Sequence, residues 1–226
     1  MSELSIVTSC LVRAVAFAVL SNVAAQSPTQ DGVEGPVSTD ASVRVVALAA
    51  SPDSAEPNLT VASDGSVILS WVEELAGRGH VLRFAVRNGG AWSKPREVAR
   101  GTDWFVNWAD FPSVMALPNR TMAAHWLARS GSGTYDYDVM IARSSDEGET
   151  WSQPVVPHRD GVKAEHGFVS LFAQDSDTLG AVWLDGREMS GTGSGHGRGS
   201  MTLRYVELLP NRKLARPALL DPRVCE

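Results

Sequence analysis

Short apolar runs separated by polar turn clusters recur along the chain. The first pair runs from Asn58 to Ala62, through Asp64 and Gly65, to Val67–Trp71. The second runs from Pro112 to Leu117, through Pro118 and Asn119, to Thr121–Trp126. The third runs from Phe168 to Phe172, through Asp175 and Asp177, to Leu179–Trp183. Each is an apolar run, a turn signal and a second run ending in tryptophan, which predicts a β-hairpin. The three tryptophans stand 55 and 57 residues apart. A polar loop and a third run follow each hairpin, at Val81–Val86, Val139–Ala142 and Met201–Val206. A fourth strand then closes each repeat, as at Ser152–Val156. Helical periodicity is weak throughout. Four-stranded meanders at a period near 55 residues predict an all-β chain of about three propeller blades, with a β-sandwich as the alternative.

The flanks read differently. Ala14–Leu20 is an apolar run too short to span a membrane, with Arg13 before it and small residues at Val23–Ala25. This predicts a secretory signal over residues 1–25, hence a secreted or periplasmic protein with no membrane span after cleavage. A lipoprotein site at Cys10 is disfavoured, because almost no apolar run precedes it. Residues 26–44 are rich in small and polar types and read as a flexible linker. The remainder, 45–226, divides into repeats at about 45–100, 101–160 and 161–222. Signal cleavage removes Cys10 and leaves Cys225 without an intrachain partner.

Charge narrows the partners. The 226 residues carry a net charge of −6, which argues against nucleic acid. No P-loop, Gly-x-Gly-x-x-Gly or zinc-ligand spacing is present, so no cofactor or metal is expected.

Ser144, Asp146, Gly148, Thr150 and Trp151 fit Ser-x-Asp-x-Gly-x-Thr-Trp. This resembles the Asp-box, or BNR repeat, of the sialidase (neuraminidase) family. Arg87–Trp92 is a degenerate copy at the matching place. The box is a turn device: a short polar side chain bonds backbone N–H groups, glycine takes a left-handed conformation, and the tryptophan packs on the sheet. It reports the fold and supplies no catalytic residue. The resemblance implies a sialidase-type propeller, an exported glycoside hydrolase acting on terminal sugars of glycans. Family propellers have six blades, so the ring is to be completed by self-association or by missing C-terminal blades. The competing readings are a non-catalytic propeller binding glycan or protein, and an inactive truncated fragment.

Meander topology puts the box at one end and the richer loops at the other. Those loops hold Trp104, Trp108 and Asp110 before the second repeat, and Tyr135 within it. His166 stands before the third repeat, with Asp185, Arg187 and Glu188 within it, then a glycine run from Gly191 to Gly199. Aromatic rings beside carboxylates and an arginine suit a sugar cleft. Asp110 is the candidate acid/base and Arg187 the candidate ligand of a substrate carboxylate. Trp104, Trp108, Tyr135, His166, Asp185 and Glu188 are candidate substrate contacts. Asp110 and His166 are read as equivalent positions pointing to a common axis. Each has a plainer reading: a turn cap for Asp110, inter-blade packing for Trp104 and Trp108, a polar residue at a strand start for His166, and a local ion pair for Asp185 and Arg187. The resemblance implies a tyrosine–glutamate nucleophile pair, an aspartate acid/base and three arginines. Asp110–Pro112 stands where the family has Arg-Ile-Pro, with no arginine, so no complete set transfers.

Overall fold

A computed structural model describes residues 44–77, 79–189 and 199–225. The expected signal, nearly all of the linker and most of the glycine run lie outside the described residues. The architecture below belongs to the unit from Val45 onward.

Among the described residues every long element is a strand and the ladders between strands are antiparallel, while one isolated bridge, Tyr137–Glu165, is parallel. The first sheet contains β1 (Ser54–Val61), β2 (Val67–Leu75), β3 (Gly79–Arg87) and β4 (Arg96–Gly101), in that order. The second contains β5 (Ser113–Ala116), β6 (Met122–Arg129) and β7 (Tyr137–Ser144). The third contains β8 (His166–Ala173), β9 (Leu179–Asp185), β10 (Met201–Leu208) and β11 (Ala218–Cys225). One 3-10 turn, Arg187–Met189, follows β9.

The second sheet lacks the fourth strand that the repeat predicts. Contact with β7 there is broken into two points: the Ser152 N–H donates to the Arg143 carbonyl at 2.8 Å, and Val155 exchanges backbone bonds of 2.8 and 2.9 Å with Ile141. Pro154 and Pro157 flank that segment, and neither has an N–H to continue a ladder.

Two cores lie between the sheets. One joins Ile68, Leu82, Phe84 and Val98 of the first sheet to Met122, Ala124 and Trp126 of β6. The other joins Ala123 and Leu127 of β6 to Leu179, Ala181, Trp183 and Val206 of the third sheet. Even-numbered residues of β6 thus face one neighbour and odd-numbered residues the other. That is why β6 reads as an unbroken apolar run rather than an alternating one.

The hairpin turns are tied by short polar side chains. Asp64 accepts from Ser66, Asn119 from Thr121, and Asp175 from Asp177 and Thr178. The 144–151 turn repeats this on a larger scale. Ser144 Oγ accepts from the Gly148 N–H at 2.8 Å, and Asp146 Oδ1 from the Thr150 N–H at 2.9 Å. Side-chain bonds from Thr150 and Ser144 hold the Asp146 carboxyl down at about 2. Gly148 has φ 87° and sits against Phe84 of the first sheet, with Met122 beside it. Gly148→Ala is therefore expected to cost about 2–4 kcal/mol, combining left-handed strain with overpacking. Urea denaturation measures it. An unchanged midpoint would mean that Phe84 yields freely.

Candidate functional site: a buried carboxyl cluster at a cleft

Asp110 lies on the segment entering β5 and is 3% exposed. Its Oδ2 accepts a 2.8 Å bond from the Phe168 N–H, tying the second sheet to the third. That N–H is free because β8 is bulged between Gly167 and Ser170, with Phe168 at φ 50°. β1 is bulged in the same way between Ala55 and Asn58, with Glu56 at φ 56°. A non-glycine residue held at positive φ is strained, and two such bulges face the same place.

Four ionisable groups, Glu56, Asp110, Tyr137 and Glu165, gather beside these bulges. Gly167 is packed so closely that a Cβ there would run into the Asp110 carboxylate and lie 3.0 Å from the Tyr137 hydroxyl. Tyr137 is 1% exposed, stacks on Phe105 at 4.0 Å and donates to Glu165 Oε1 at 3.0 Å. Glu56 is buried, and its Oε2 has no hydrogen-bond partner among the described residues. Burial pushes Glu56 up to about 7, with the Asp110 charge adding to it. Burial raises Asp110 to about 6, against the Phe168 N–H and with help from Glu165. Burial also raises Tyr137, as do the Glu165 and Asp110 charges, so its hydroxyl keeps its proton. Glu56 and Asp110 are thus two buried carboxyls raised toward neutrality, the range that general acid–base chemistry uses.

A cleft of about 340 Å³ opens beside Asp110. Asn58, Asp110, Phe111, Ser113, Phe168 and Ser170 are among its walls. The Phe111 and Phe168 rings are 39% and 46% exposed.

The raised carboxyls set a pH dependence. The Glu56 pKa lies at about 7 in the fold against 4.5 ordinarily. Its contribution is fully present below pH 4.5 and is lost as pH rises through 7. Glu56→Gln removes the penalty of the buried charge. The variant is expected to match the native protein near pH 4.5 and to exceed its stability at pH 8 by roughly 2–3 kcal/mol. Urea titrations at the two pH values read this directly. An equal difference at both would show that Glu56 ionises freely in the fold.

A second cluster begins one residue away. His166 is fully buried, with Nδ1 at 3.1 Å from the Tyr137 carbonyl, so Nδ1 carries the hydrogen. Its Nε2 lies 3.2 Å from Asp160 Oδ2, and its ring stacks on His158 at 3.7 Å. Burial and the neighbouring His166 push His158 down to about 4. Ligand-type atoms of Asp138, His158 and His166, and of Asp160, His166 and Asp185, fall within 4.8 Å of one another. These are the described residues that could hold a metal. In the second set Arg187 already supplies a cation: it forks onto Asp185 at 2.7 and 2.6 Å and reaches Asp160 at 2.8 Å. The Trp183 indole N–H adds a 2.7 Å bond to Asp185. Burial would raise Asp185, but the Arg187 and Trp183 bonds outweigh it and hold the carboxyl below its usual range. The first sheet repeats the arrangement: Glu73 accepts from the Trp71 indole at 2.9 Å and from Arg83 at 2.7 Å.

Of the other expected site residues, Arg187 is paired with Asp185 and Asp160. Trp104 is in the core: residues 103–105 pair with the end of β6, and its ring stacks on Trp126 at 5.7 Å. Trp108 is 84% exposed on the loop before Asp110, and Tyr135 is exposed near Tyr137. Glu188 accepts from Arg204 at 3.3 Å. Asp110 and His166 meet different partners: Asp110 Oδ2 takes the Phe168 N–H, whereas His166 meets the Tyr137 carbonyl and Asp160. Glu56, Tyr137 and Glu165 join Asp110 instead. Their only sequence signal is a polar residue at the edge of an apolar run.

No family model and no curated protein matches the chain. Solved structures do. An endo-1,4-β-xylanase from Bacteroides thetaiotaomicron matches at TM-score 0.50 and 14% identity, over 78% of this chain and 62% of that one. An α-L-arabinanase from Penicillium chrysogenum, complexed with arabinobiose, matches at 0.46 and 15%, over 74% and 49%. A Hadza microbial sialidase matches at 0.35 and 15%, over 74% and 34%. The chain spans about a third to under two-thirds of these structures. The xylanase likeness bears on the fold alone. No helix among the described residues is long and apolar enough to cross a membrane.

Proposed function

We propose that this chain forms three blades of an exported, sialidase-like propeller that hydrolyses glycosidic bonds, with the ring completed by self-association or by further blades. The observation that carries the reading is Asp110: a buried carboxyl near pKa 6, beside Glu56, on a cleft walled by Phe111 and Phe168. Asp110 in its protonated form gives its proton to the departing glycosidic oxygen as that oxygen's bond to the anomeric carbon breaks, water bonds to the anomeric carbon, and the proton the water releases restores the carboxyl. Tyr137 and Glu165 are positioning residues, reaching Asp110 across Gly167. The two phenylalanine rings offer faces for a sugar to stack on. The Asp-box resemblance and the carbohydrate-active names of the structural neighbours support the same reading, by analogy of fold.

The test is turnover of a panel of fluorogenic glycosides by the purified full chain. Release of fluorophore by any member supports hydrolysis. A folded protein that binds glycans yet turns over none is a binding propeller instead.

A further inference from the structure

We infer that the cleft selects an uncharged, hydroxyl-rich sugar and rejects carboxylated ones. This rests on the glycan reading above and departs from the anionic substrate that the sialidase resemblance implies. Asp110 and Asn58 are among the polar residues of the cleft wall, and Glu56 lies at the bulge of β1, two residues from Asn58. Glu56 Oε2 and Asn58 Oδ1 are buried oxygens without hydrogen-bond partners among the described residues. Such atoms are costly until a donor reaches them, and sugar hydroxyls are donors.

The charge around the cleft has one sign. The Asp110 charge acts on Glu56 and the Glu165 charge on Asp110, and no basic residue lines the cleft among the described residues. Three arginines of the second and third repeats have other partners. Arg187 forks onto Asp185, Arg204 reaches Glu188, and Arg129 lies 5.4 Å above the Phe105 ring. A substrate carboxylate would meet carboxyls rather than a guanidinium, and like charges brought together at an interface select against that partner. Phe111 and Phe168 provide the apolar surface that an uncharged sugar ring can use.

The experiment is calorimetric titration of the full chain with neutral pentose and hexose oligosaccharides, and with sialyllactose and a glucuronate-bearing oligosaccharide of similar length. Neutral sugars are expected to bind at least about 10-fold tighter than the carboxylated ones. The gap is expected to narrow in Glu56→Gln. It is also expected to narrow for the native chain in 0.5 M salt, which screens the repulsion and needs no variant to fold. Tighter binding of sialyllactose overturns the inference and leaves the glycan reading standing. A gap that ignores both salt and Glu56→Gln overturns the electrostatic cause. A folded chain that binds no sugar of either kind overturns the glycan reading itself.

Discussion

Asp110→Asn is expected to lower glycoside turnover by about 100- to 10,000-fold, the range set by removing a general acid. The substitution is close to isosteric. The asparagine carbonyl oxygen can still accept the Phe168 N–H that Asp110 Oδ2 accepts at 2.8 Å, so the tie between the second and third sheets survives. What disappears is the exchangeable proton. Glu56 also loses the charge that helps to raise it. Two readouts separate chemistry from structure. The loss should fall on kcat, with KM for a neutral substrate nearly unchanged, and the acidic-to-neutral limb of the pH profile should flatten. Tyr137→Phe is the companion. It removes the hydroxyl that donates to Glu165 at 3.0 Å, and should shift the pH profile while reducing turnover less. Equal activity in Asp110→Asn would reduce the carboxyl to a structural tie.

Trp183→Ala is expected to destabilise the fold by about 4 kcal/mol or more, the upper range for emptying an aromatic site in a packed core. Trp183 is fully buried between the second and third sheets. Its indole N–H is one of the donors that hold the buried Asp185 carboxylate. The variant therefore opens a cavity and also removes a partner from a buried charge. Stabilities of single domains run at about 5–15 kcal/mol, so this is a large fraction of the total. Urea denaturation measures it, with Trp108→Ala as the contrast. Trp108 is 84% exposed and should shift stability by no more than about 0.5 kcal/mol. Comparable costs at the two positions would contradict the core assignment.

The repeat was legible because its signals are local. Apolar runs, Asx turns and tryptophans at a fixed spacing are properties of a few consecutive residues. The ladders β1–β2, β5–β6 and β8–β9 stand where those signals place them. The 144–151 turn was equally legible, since Ser144 and Asp146 bond backbone within four residues of themselves. The missing fourth strand of the second sheet was written in Pro154 and Pro157, but its apolar residues outweighed them in the pattern.

Asp110 could be singled out from its place before an inner strand, yet nothing nearby in the chain named its companions. Glu56, Tyr137 and Glu165 come from three other segments, and the four groups gather beside the bulges of β1 and β8. A bulge shifts a ladder by one residue, which a pattern of period two cannot register in advance. His166 enters the Asp160–Arg187 network and Asp110 stands at the cleft, although each precedes a strand. Sequence alone determined the strands, their turns and their repetition, because each depends on short-range preference. Tertiary structure alone decided which carboxyls are buried together and which arginine is already paired, because burial and charge pairing depend on residues far apart in the chain.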